Sequence, residues 1–465
     1  MAAREGCRGA LAPSYEIPAV EVRKVPRLSY LVLAVGVGIA GVARHGDFIR
    51  DYGHYRLLMI SWLLVFTASA VQWVIALFER PDAGWSPRLD LLTVVVAVPV
   101  YNEDPATLDR SLYSLAQQTR PPDIIHVVDD GSTKVSYDHI RDHWMADPVV
   151  GPRLRWTRQA NGGKKAAQAA CFNSHPEADI FVTVDSDTTL ARNAIKEGLR
   201  PFRHRDVFSV AGLELGYNQN RNWLTLMTCS RTLSWELLSC AAQNVAGGDV
   251  TVNRGTYALY RAEMVRDVLP AYLNERFLGH DIKLGDDAAL TLFAECRGRA
   301  VQQVSAACFT MYPETLRHHF KQWTRWMRGS TVRTCWRLRY LRLTSYSWWF
   351  TLISTWSFII SIGASIAVGL TWPKSYTYLA SAVIATIAWS ALMALRTTTV
   401  RRSDQTWLDR AILVIMAPFA AFWVALVLRP LRIYGIATFL RQGWVTRTKV
   451  EIATEGAGAP AQELA

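Results

Sequence analysis

The sequence predicts an α/β domain inserted between membrane-spanning helices. Two features of the 465-residue chain support this prediction. Long apolar runs lie near both ends, whereas the central part alternates short apolar runs with amphipathic stretches, as a globular domain does. Each of these short runs also ends in a polar cluster, which is typical of a mostly parallel sheet with helices on both faces.

The composition is apolar and basic. Hydrophobic residues make up 50% of the chain and charged residues 19%, and the formal net charge is +12. The arginines lie beside the apolar runs and the sequence has no zinc-finger or RNA-recognition signature, so we expect contact with a lipid bilayer and no nucleic acid. The seven cysteines include no CxxC pair, which indicates free thiols in a reducing cytosol rather than a zinc site.

Two apolar runs precede the central part, at residues 28–42 and 57–78. A membrane-spanning helix needs about 20 apolar residues, so the second run is long enough and the first is marginal. The basic residues before the first run predict a cytosolic segment at 1–27. Two transmembrane helices within 28–78 would then return the chain to the cytosol.

Three further apolar runs follow the central part, at residues 348–371, 376–395 and 412–428. Both flanks of the last run are basic, which a single crossing does not satisfy. Either this run is re-entrant or broken at Pro418, or one flank departs from the positive-inside tendency. We assign 346–440 to a transmembrane or interfacial region and 441–465 to a polar tail.

The segment 313–345 interleaves basic and aromatic residues at helical spacing. This pattern is typical of an amphipathic helix that lies in the membrane interface. The segment is either an anchor alone or part of a site. Within it, Arg325 could stabilise a departing diphosphate, and Trp326 could stack on a sugar ring.

The central domain, residues 90–312, is predicted to bind a ligand at one edge of its sheet. Predicted strands starting at residue 92, at 124–128 and at 180–184 each end in a polar cluster, and a helix is predicted at 105–118. In open parallel sheets, ligands bind beyond the carboxyl ends of the strands.

The strand at 180–184 ends in Asp185-Ser186-Asp187. Residues two apart in an extended chain point to one side, so both carboxylates would face the same cleft. Hard oxygen ligands suit Mg²⁺ or Mn²⁺, and the ion would also hold phosphates. The sequence therefore predicts a divalent metal site here.

Three other polar clusters have two interpretations each. Asp129 and Asp130 could bind a nucleotide base or ribose, or form a type I turn with the following Gly-Ser. The loop at 161–164, which ends in Lys164, could hold a diphosphate or be an ordinary surface loop. Asp287, after Gly285 and Asp286, could be a general base for an attacking hydroxyl, or could cap a helix.

Five motifs occur in an order that resembles the processive family 2 glycosyltransferases, which include hyaluronan, chitin and cellulose synthases and the nodulation chitooligosaccharide synthases. They are VPVYNE at 98–103, DDGS at 129–132, DSD at 185–187, GDD at 285–287 and QWTRW at 322–326. The resemblance covers residues 92–326 and the flanking membrane plan, and the tail segments PLRIY at 430–434 and WVTR at 444–447 share it.

The resemblance implies a cytosolic GT-A (Rossmann-like) domain on a channel in a multi-pass protein of the plasma membrane. It implies inverting transfer from UDP-sugar donors to a growing β-linked polysaccharide, with Mn²⁺ or Mg²⁺. On the donor side it implies contacts from Tyr101, Glu103, Asp130, Lys164, Asp185 and Arg325. It also implies that Asp187 holds the metal, that Asp287 is the base, and that Asp286, Gln322 and Trp326 serve the acceptor and gating.

Within this group the GDD motif is similar to that of hyaluronan synthases, whereas cellulose synthases carry Thr-Glu-Asp. Three features depart from the pattern: Ala288 replaces the usual Arg, Trp323 replaces the usual Gln or Arg, and the segment 252–261 lacks the expected Gly-Pro and nearby Cys. All three surround the acceptor. The first expectation is a hyaluronan-like synthase that uses UDP-GlcNAc and UDP-GlcA. The alternatives are a chitin- or cellulose-like or other capsular polymerase, a non-processive lipid-linked glycosyltransferase, and a non-catalytic membrane protein.

Overall fold

The computed structural model describes residues 15–33, 35–36, 56–371 and 376–442. Parts of the predicted segments at 1–27 and 28–78, and the tail from residue 443 with its WVTR motif, therefore lie outside the described residues.

The described strands form one large sheet and two short ribbons. In chain order they are β1 Val20–Val22, β2 Val94–Val100, β3 Ile124–Asp129, β4 Leu154–Arg158, β5 Ile180–Val184, β6 Thr189–Leu190, β7 Val207–Gly216, β8 Tyr257–Arg261, β9 Arg276–Phe277, β10 His280–Asp281, β11 Arg299–Thr310 and β12 Val400–Arg402.

Helices cover the sheet and extend beyond it. In chain order they are α1 Arg56–Ala76, α2 Pro105–Ala116, α3 Asp138–Ala146, α4 Lys164–Ser174, α5 Ala194–Leu199, α6 Trp223–Trp235, α7 Ala241–Ala246, α8 Ala262–Leu273, α9 Asp286–Arg297, α10 Leu316–Tyr340, α11 Tyr346–Thr371, α12 Tyr376–Ala394, α13 Trp407–Trp423 and α14 Arg429–Ala437. The π-helical segments Glu236–Cys240 and Val424–Leu428 join α6 to α7 and α13 to α14.

The large sheet has eight strands in the order β4-β3-β2-β5-β8-β7-β11-β6. Strands β2 to β5 are parallel to one another, and β7 is parallel to β11. Strand β8 runs antiparallel between β5 and β7, and β6 runs antiparallel to β11. The sheet is therefore mixed but mostly parallel, close to the sequence prediction.

The apolar run of β2 is buried on both faces. Val94, Val96 and Val98 pack into one core cluster, whereas Val95 and Ala97 pack into a second cluster on the opposite face. Because side chains alternate along a strand, a strand between two helical layers needs an apolar residue at every position. This requirement explains the unbroken run VVVAVPV.

The carboxyl ends of three neighbouring strands meet at one edge of the sheet. Val100 at the end of β2 lies opposite Asp129 at the end of β3. On the other side of β2, Ala97 lies opposite Thr183 of β5. The polar residues after these strands are therefore brought together, as the sequence predicted.

Helix α10 occupies most of the predicted interfacial segment, but two of its arginines point into the protein. Arg333 is fully buried against Glu275, and Arg337 is buried against Glu295. The sequence pattern predicted basic residues facing a membrane surface. For these two the expectation is wrong, because acidic side chains of the central domain neutralise them inside the molecule.

The last apolar run forms a continuous helix, α13 to α14, at Trp407–Ala437. Among the described residues it is the one helix that is long and apolar enough to cross a membrane. It contacts the central domain near its start, and the residue after its end contacts α10. The Ser230 hydroxyl of α6 donates to the carbonyl of Leu413 at 2.7 Å, and Arg328 of α10 donates to Thr438 at 3.1 Å.

A short ribbon ties the start of the chain to its late part. Strand β1 pairs antiparallel with β12, from Val20 opposite Arg402 to Val22 opposite Val400. The Arg402 guanidinium donates to the carbonyl of Gly216, at the end of β7, at 2.7 Å. The basic loop before α13 is thereby fixed to the end of β7.

Candidate active site

A cleft opens at the carboxyl edge of the sheet. It contains six of the predicted site residues, which come from five parts of the chain. The cleft is lined by Pro99, Val100, Tyr101, Asp130, Asn161, Gly163, Lys164, Asp185, Ser186, Asp187 and Arg325.

Asp130 anchors the glycine loop on one side of the cleft. Its carboxylate accepts hydrogen bonds from the Gln159 side chain at 2.8 Å and from the backbone N–H groups of Gly162 and Gly163 at 2.9 and 2.8 Å. Gly163 has a φ of +86°, which favours glycine, and it immediately precedes α4. The buried Asp130 thus holds the amino end of α4 toward the cleft, where backbone N–H groups favour an anion.

The neighbouring Asp129 binds its own loop. Its carboxylate accepts from the N–H of Ser132 at 2.8 Å, and Gly131 has a φ of +76°. Because both central residues of a type I turn have a negative φ, the DDGS loop is not the type I turn that the sequence offered as one interpretation. Asp130 both supports the loop and lines the cleft.

Lys164 lies between the carboxylates of two motifs. Its Nζ is 2.6 Å from Asp185 and 3.2 Å from Asp286. These two carboxylates raise its pKa against the opposing effect of burial, so the side chain stays charged. One cation therefore links the strand-end motif to the first turn of α9.

Asp286 and Asp287 occupy the first turn of α9, and Gly285 occupies the cap position with a φ of +76°. Asp287 accepts from the N–H of Ala288 at 2.7 Å and from that of Gly255 at 3.3 Å. Burial and the neighbouring Asp286 raise the pKa of Asp287. Burial also acts to raise the pKa of Asp286, but Lys164 outweighs it and lowers that pKa.

The pKa values of Asp286 and Asp287 are shifted in opposite directions, so the two carboxyl groups differ in their affinity for a proton. Asp286 stays ionised beside Lys164, whereas Asp287 has a greater affinity for a proton. A carboxylate with a raised pKa is suited to accept a proton from a hydroxyl group. The alternative interpretation placed the Asp as the helix cap. In the structure Gly285 occupies the cap position, and Asp287 lies in the first turn of the helix.

Tyr101 lines the cleft, and Glu103 lies buried behind it. The hydroxyl of Ser186, within the DSD motif, donates to Glu103 at 2.9 Å. Glu103 therefore connects the end of β2 to the end of β5 instead of lining the cleft.

Helix α10 brings a second cation to the cleft. Arg325 lines it, whereas Trp326, one residue later, is 41% exposed and its ring lies 5.9 Å from that of Trp323. Successive helical residues point about 100° apart, so the two side chains serve different surfaces. Gln322 is half-buried one turn before Trp326 and does not line the cleft.

The segment before β8 supplies two groups that sequence reasoning missed. A Cβ on Gly255 would lie 2.9 Å from the Lys164 Nζ and 3.5 Å from the Asp287 Cβ, so glycine leaves room for both side chains. Arg254 pairs with Glu214 at 2.9 Å and with Glu236 at 3.0 Å. Single acidic residues within apolar stretches, as at 214 and 236, were the signal of a buried charge network.

A second buried network, which the sequence did not predict, lies behind the cleft and is centred on Glu275. Glu275 is bound by the Arg333 guanidinium through two hydrogen bonds, at 2.6 and 2.7 Å, and also pairs with Lys165. Arg333 further donates to the carbonyl of Gly285 at 3.1 Å. Helix α10, the GDD turn and the start of α4 are therefore fixed to one carboxylate.

The donor set of the cleft fits a divalent cation. Asp185 and Asp187 are half-buried at the end of β5 and line the cleft together. Asp286 and Asp287 lie nearby, so the site has four carboxylates, and Lys164 is the lysine that pairs with two of them. Oxygen ligands in such excess are the chemistry that Mg²⁺ and Mn²⁺ prefer.

Comparisons with known proteins identify the family. The family model described as glycosyl transferase family group 2 matches residues 180–426. A hyaluronan synthase of Streptococcus pyogenes is 30% identical over 370 residues, 77% of this chain and 84% of that protein. An N-acetylglucosaminyltransferase of Rhizobium meliloti (strain 1021) is 28% identical over 389 residues, which cover 80% of this chain and 86% of that one.

Among solved structures, a mannosyltransferase of Pyrobaculum calidifontis in complex with GDP-Man and Mn²⁺ matches with a TM-score of 0.50 at 17% sequence identity. The match covers 85% of this chain and 99% of that one. This likeness concerns the fold, which is of the GT-A type with a curled mixed sheet.

Proposed function

The chain belongs to the family 2 glycosyltransferases, and we propose that it polymerises UDP-sugars into a β-linked polysaccharide and exports the product across the membrane. Glycosyl transfer is the activity of the family. The proposal concerns the polymer, its export and its sugars. The similarity to a hyaluronan synthase favours UDP-GlcNAc and UDP-GlcA as donors.

One observation carries the transfer step of this proposal: Lys164 bridges the DSD and GDD carboxylates in a cleft that Arg325 of α10 also lines. A diphosphate entering the cleft would offer both cations a better partner than the carboxylates alone. Lys164 would then turn from Asp185 and Asp286 toward the phosphate oxygens. Donor binding would thereby release Asp185 and Asp286 from Lys164, so that they could contact the donor and the acceptor.

We assign the remaining donor contacts by position. Tyr101 and Asp130 would flank the uracil end, with Glu103 keeping Tyr101 and Ser186 in place. Asp185 would contact the donor, and Asp187 would hold Mn²⁺ or Mg²⁺. When bound, the ion would neutralise charge on the diphosphate as it departs.

The transfer itself needs one base in this site. A hydroxyl of the acceptor sugar would attack C1 of the donor sugar, and Asp287 would take the hydroxyl proton. The bond from C1 to the diphosphate oxygen breaks, and its electron pair leaves with UDP, whose charge Lys164 and Arg325 would stabilise. A single displacement from an α-linked donor gives a β-linked product.

The acceptor and export roles fall to α10 and the apolar helices. Trp326 would stack on the acceptor sugar, and Gln322 and Asp286 would help to gate the site. The polymer would leave through a channel among the apolar helices. In this proposal the protein is a multi-pass protein of the plasma membrane with its catalytic domain in the cytosol.

Purified protein incubated with labelled UDP-sugars and Mn²⁺ or Mg²⁺ tests the proposal. We expect polymer from the wild type and at least 10²-fold less from Asp287→Asn, since general-base help contributes about 10²- to 10⁴-fold. Asp267→Asn is the matched control, because Asp267 is exposed and pairs only with Arg297 among the interactions seen. Equal incorporation by Asp287→Asn would remove Asp287 as the base.

Supplying each UDP-sugar alone and in pairs identifies the polymer. Product that forms only from the GlcNAc and GlcA pair, and that hyaluronidase degrades, supports a hyaluronan-like synthase. Product from a single donor, degraded by chitinase or cellulase, would instead indicate a homopolymer synthase. Transfer of one sugar without elongation would indicate a non-processive enzyme.

A further inference from the structure

A buried cluster of metal-binding side chains lies outside the donor cleft. It consists of His126 in β3, Cys171 in α4 and His175 just after α4. One ligand atom from each lies within 4.8 Å of the other two. All three residues are buried, with 2%, 0% and 6% of their surface exposed.

The fold brings these three residues together. Cys171 and His175 are four residues apart, so they lie on one face at the carboxyl end of α4. Helix α4 packs against β2 and β3, which places this face over His126. The Nδ1 atom of His126 lies 3.0 Å from the Nε2 atom of His175.

The outer nitrogens of both rings have partners of their own. His126 Nε2 lies 2.9 Å from the Thr157 hydroxyl, and His175 Nδ1 lies 3.0 Å from the Glu177 carboxylate. Metal-bound histidines are commonly oriented by such partners on the nitrogen that does not bind the metal. The inner nitrogens are therefore held toward each other and toward Cys171.

We propose that His126, Cys171 and His175 form a structural site for Zn²⁺, distinct from the catalytic metal. One thiolate and two imidazoles are a ligand set that zinc favours, with bonds of about 2.0 to 2.3 Å. Small shifts of the side chains would bring the three atoms to such distances from a common centre. A water molecule would complete the four-coordinate shell.

The proton balance of binding is simple. Cys171 loses its thiol proton to solvent, and both histidines stay neutral. The proton on His126 Nδ1, between the two rings, moves to His126 Nε2. His126 Nε2 then donates to the Thr157 oxygen.

The position of the cluster indicates what the metal would do. His126 precedes Asp129 by three residues, or about 10 Å along the strand. Helix α4 carries Cys171 near its carboxyl end and Lys164 at its amino end. Zinc would thus attach the carboxyl end of α4, which is remote from the donor, to β3. By fixing this helix it would also fix the position of Lys164 at the other end.

Metal analysis of the purified full-length protein tests this proposal. We expect about one zinc per chain in the wild type and loss of that zinc in Cys171→Ala and His126→Ala. Cys229→Ala is the matched control, because Cys229 is also buried but lies in a different core cluster. Protein loaded with Co²⁺ should show a sulfur-to-cobalt charge-transfer band that Cys171→Ala lacks.

A second test uses a variant that keeps all three ligands. Glu177→Gln keeps the three ligands but weakens the partner of His175, so zinc affinity should fall about 10- to 100-fold. Added Zn²⁺ should raise the midpoint of thermal unfolding of the wild type and not that of Cys171→Ala. If zinc neither copurifies nor rebinds above the level of Cys171→Ala, the cluster is a hydrogen-bonded histidine pair and the proposal fails.

Discussion

Lys164 is the residue that joins the two acidic motifs of the cleft. The sequence predicted Asp185 and Asp187 at a strand end, because the period of a strand and the direction of the sheet determine those positions. It did not predict that one lysine would bridge Asp185 and Asp286. That distance depends on how α4 and α9 pack, which no local pattern reveals.

The carboxyl pair of α9 should determine the acid side of the pH profile. Asp287 accepts a proton only when it is ionised, and its raised pKa keeps it protonated over a wider acid range than an ordinary aspartate. Activity should therefore rise with pH as Asp287 loses its proton. Asp286→Asn removes the neighbouring negative charge, so the acid limb of kcat/KM should move to lower pH.

Pre-steady-state or initial-rate assays across the acid range measure this shift. The exposed Asp281 provides a control, since Asp281→Asn alters a carboxylate of β10 that faces solvent. An acid limb that stays in place in Asp286→Asn would show that Asp286 does not govern the protonation of Asp287.

The spacing of His126, Cys171 and His175 in the sequence did not predict that they form a cluster. The two histidines are 49 residues apart and lie on different elements. Zinc motifs are recognised by close ligand pairs, and only Cys171 and His175 have such a spacing. The expectation of free thiols without a zinc site was argued from spacing, whereas the proposed site depends on the packing of α4 on β3, which brings His126 to this pair.

Among the elements, the strands of the donor side were the most predictable. The predicted strand at 180–184 coincides with β5, and the predicted helix at 105–118 ends two residues later than α2. The inward arginines of α10 were not predictable. Charged residues are rarely buried without a partner, and Glu275 and Glu295 lie far from α10 in sequence.

The attachment of α10 to the domain should depend on Glu275. Glu275→Gln leaves Lys165 and Arg333 buried without their shared counter-charge. Breaking a buried ion pair in this way costs about 3–5 kcal/mol of unfolding free energy. We expect a lower midpoint of thermal unfolding and faster proteolysis within α10.

Glu263→Gln is the matched control, because Glu263 is exposed on α8. It should unfold at the wild-type temperature. If Glu275→Gln did so as well, the two hydrogen bonds from Arg333 would contribute little to the position of α10.

For the whole molecule, the sequence left the course of the last apolar run open between crossing and re-entry. The helix Trp407–Ala437 contacts the central domain near its start, through Ser230, and Thr438 just after its end contacts Arg328 of α10. The π-helical segment Val424–Leu428 and Pro418 lie between these contacts. We therefore predict a re-entrant or interfacial course for this helix rather than a simple crossing.

Cysteine labelling tests the course of this helix. Trp407→Cys and Arg441→Cys place single thiols at exposed positions near its two ends, in a background without other accessible cysteines. We expect an impermeant maleimide to label both from the cytosolic face of inverted vesicles. Labelling of the two positions from opposite faces would show instead that the helix crosses the bilayer.

The β1–β12 ribbon links folding to the order of synthesis. The backbone N–H of Ala19 donates to the Ser403 side chain, 384 residues further along the chain. At about 5–20 residues per second, the ribosome would add the partner strand on the order of 20 to 80 s after β1 has emerged. Until then β1 has no strand to pair with, so the nascent chain cannot close this part of the molecule, and premature termination before β12 would leave an open strand edge for quality control to recognise.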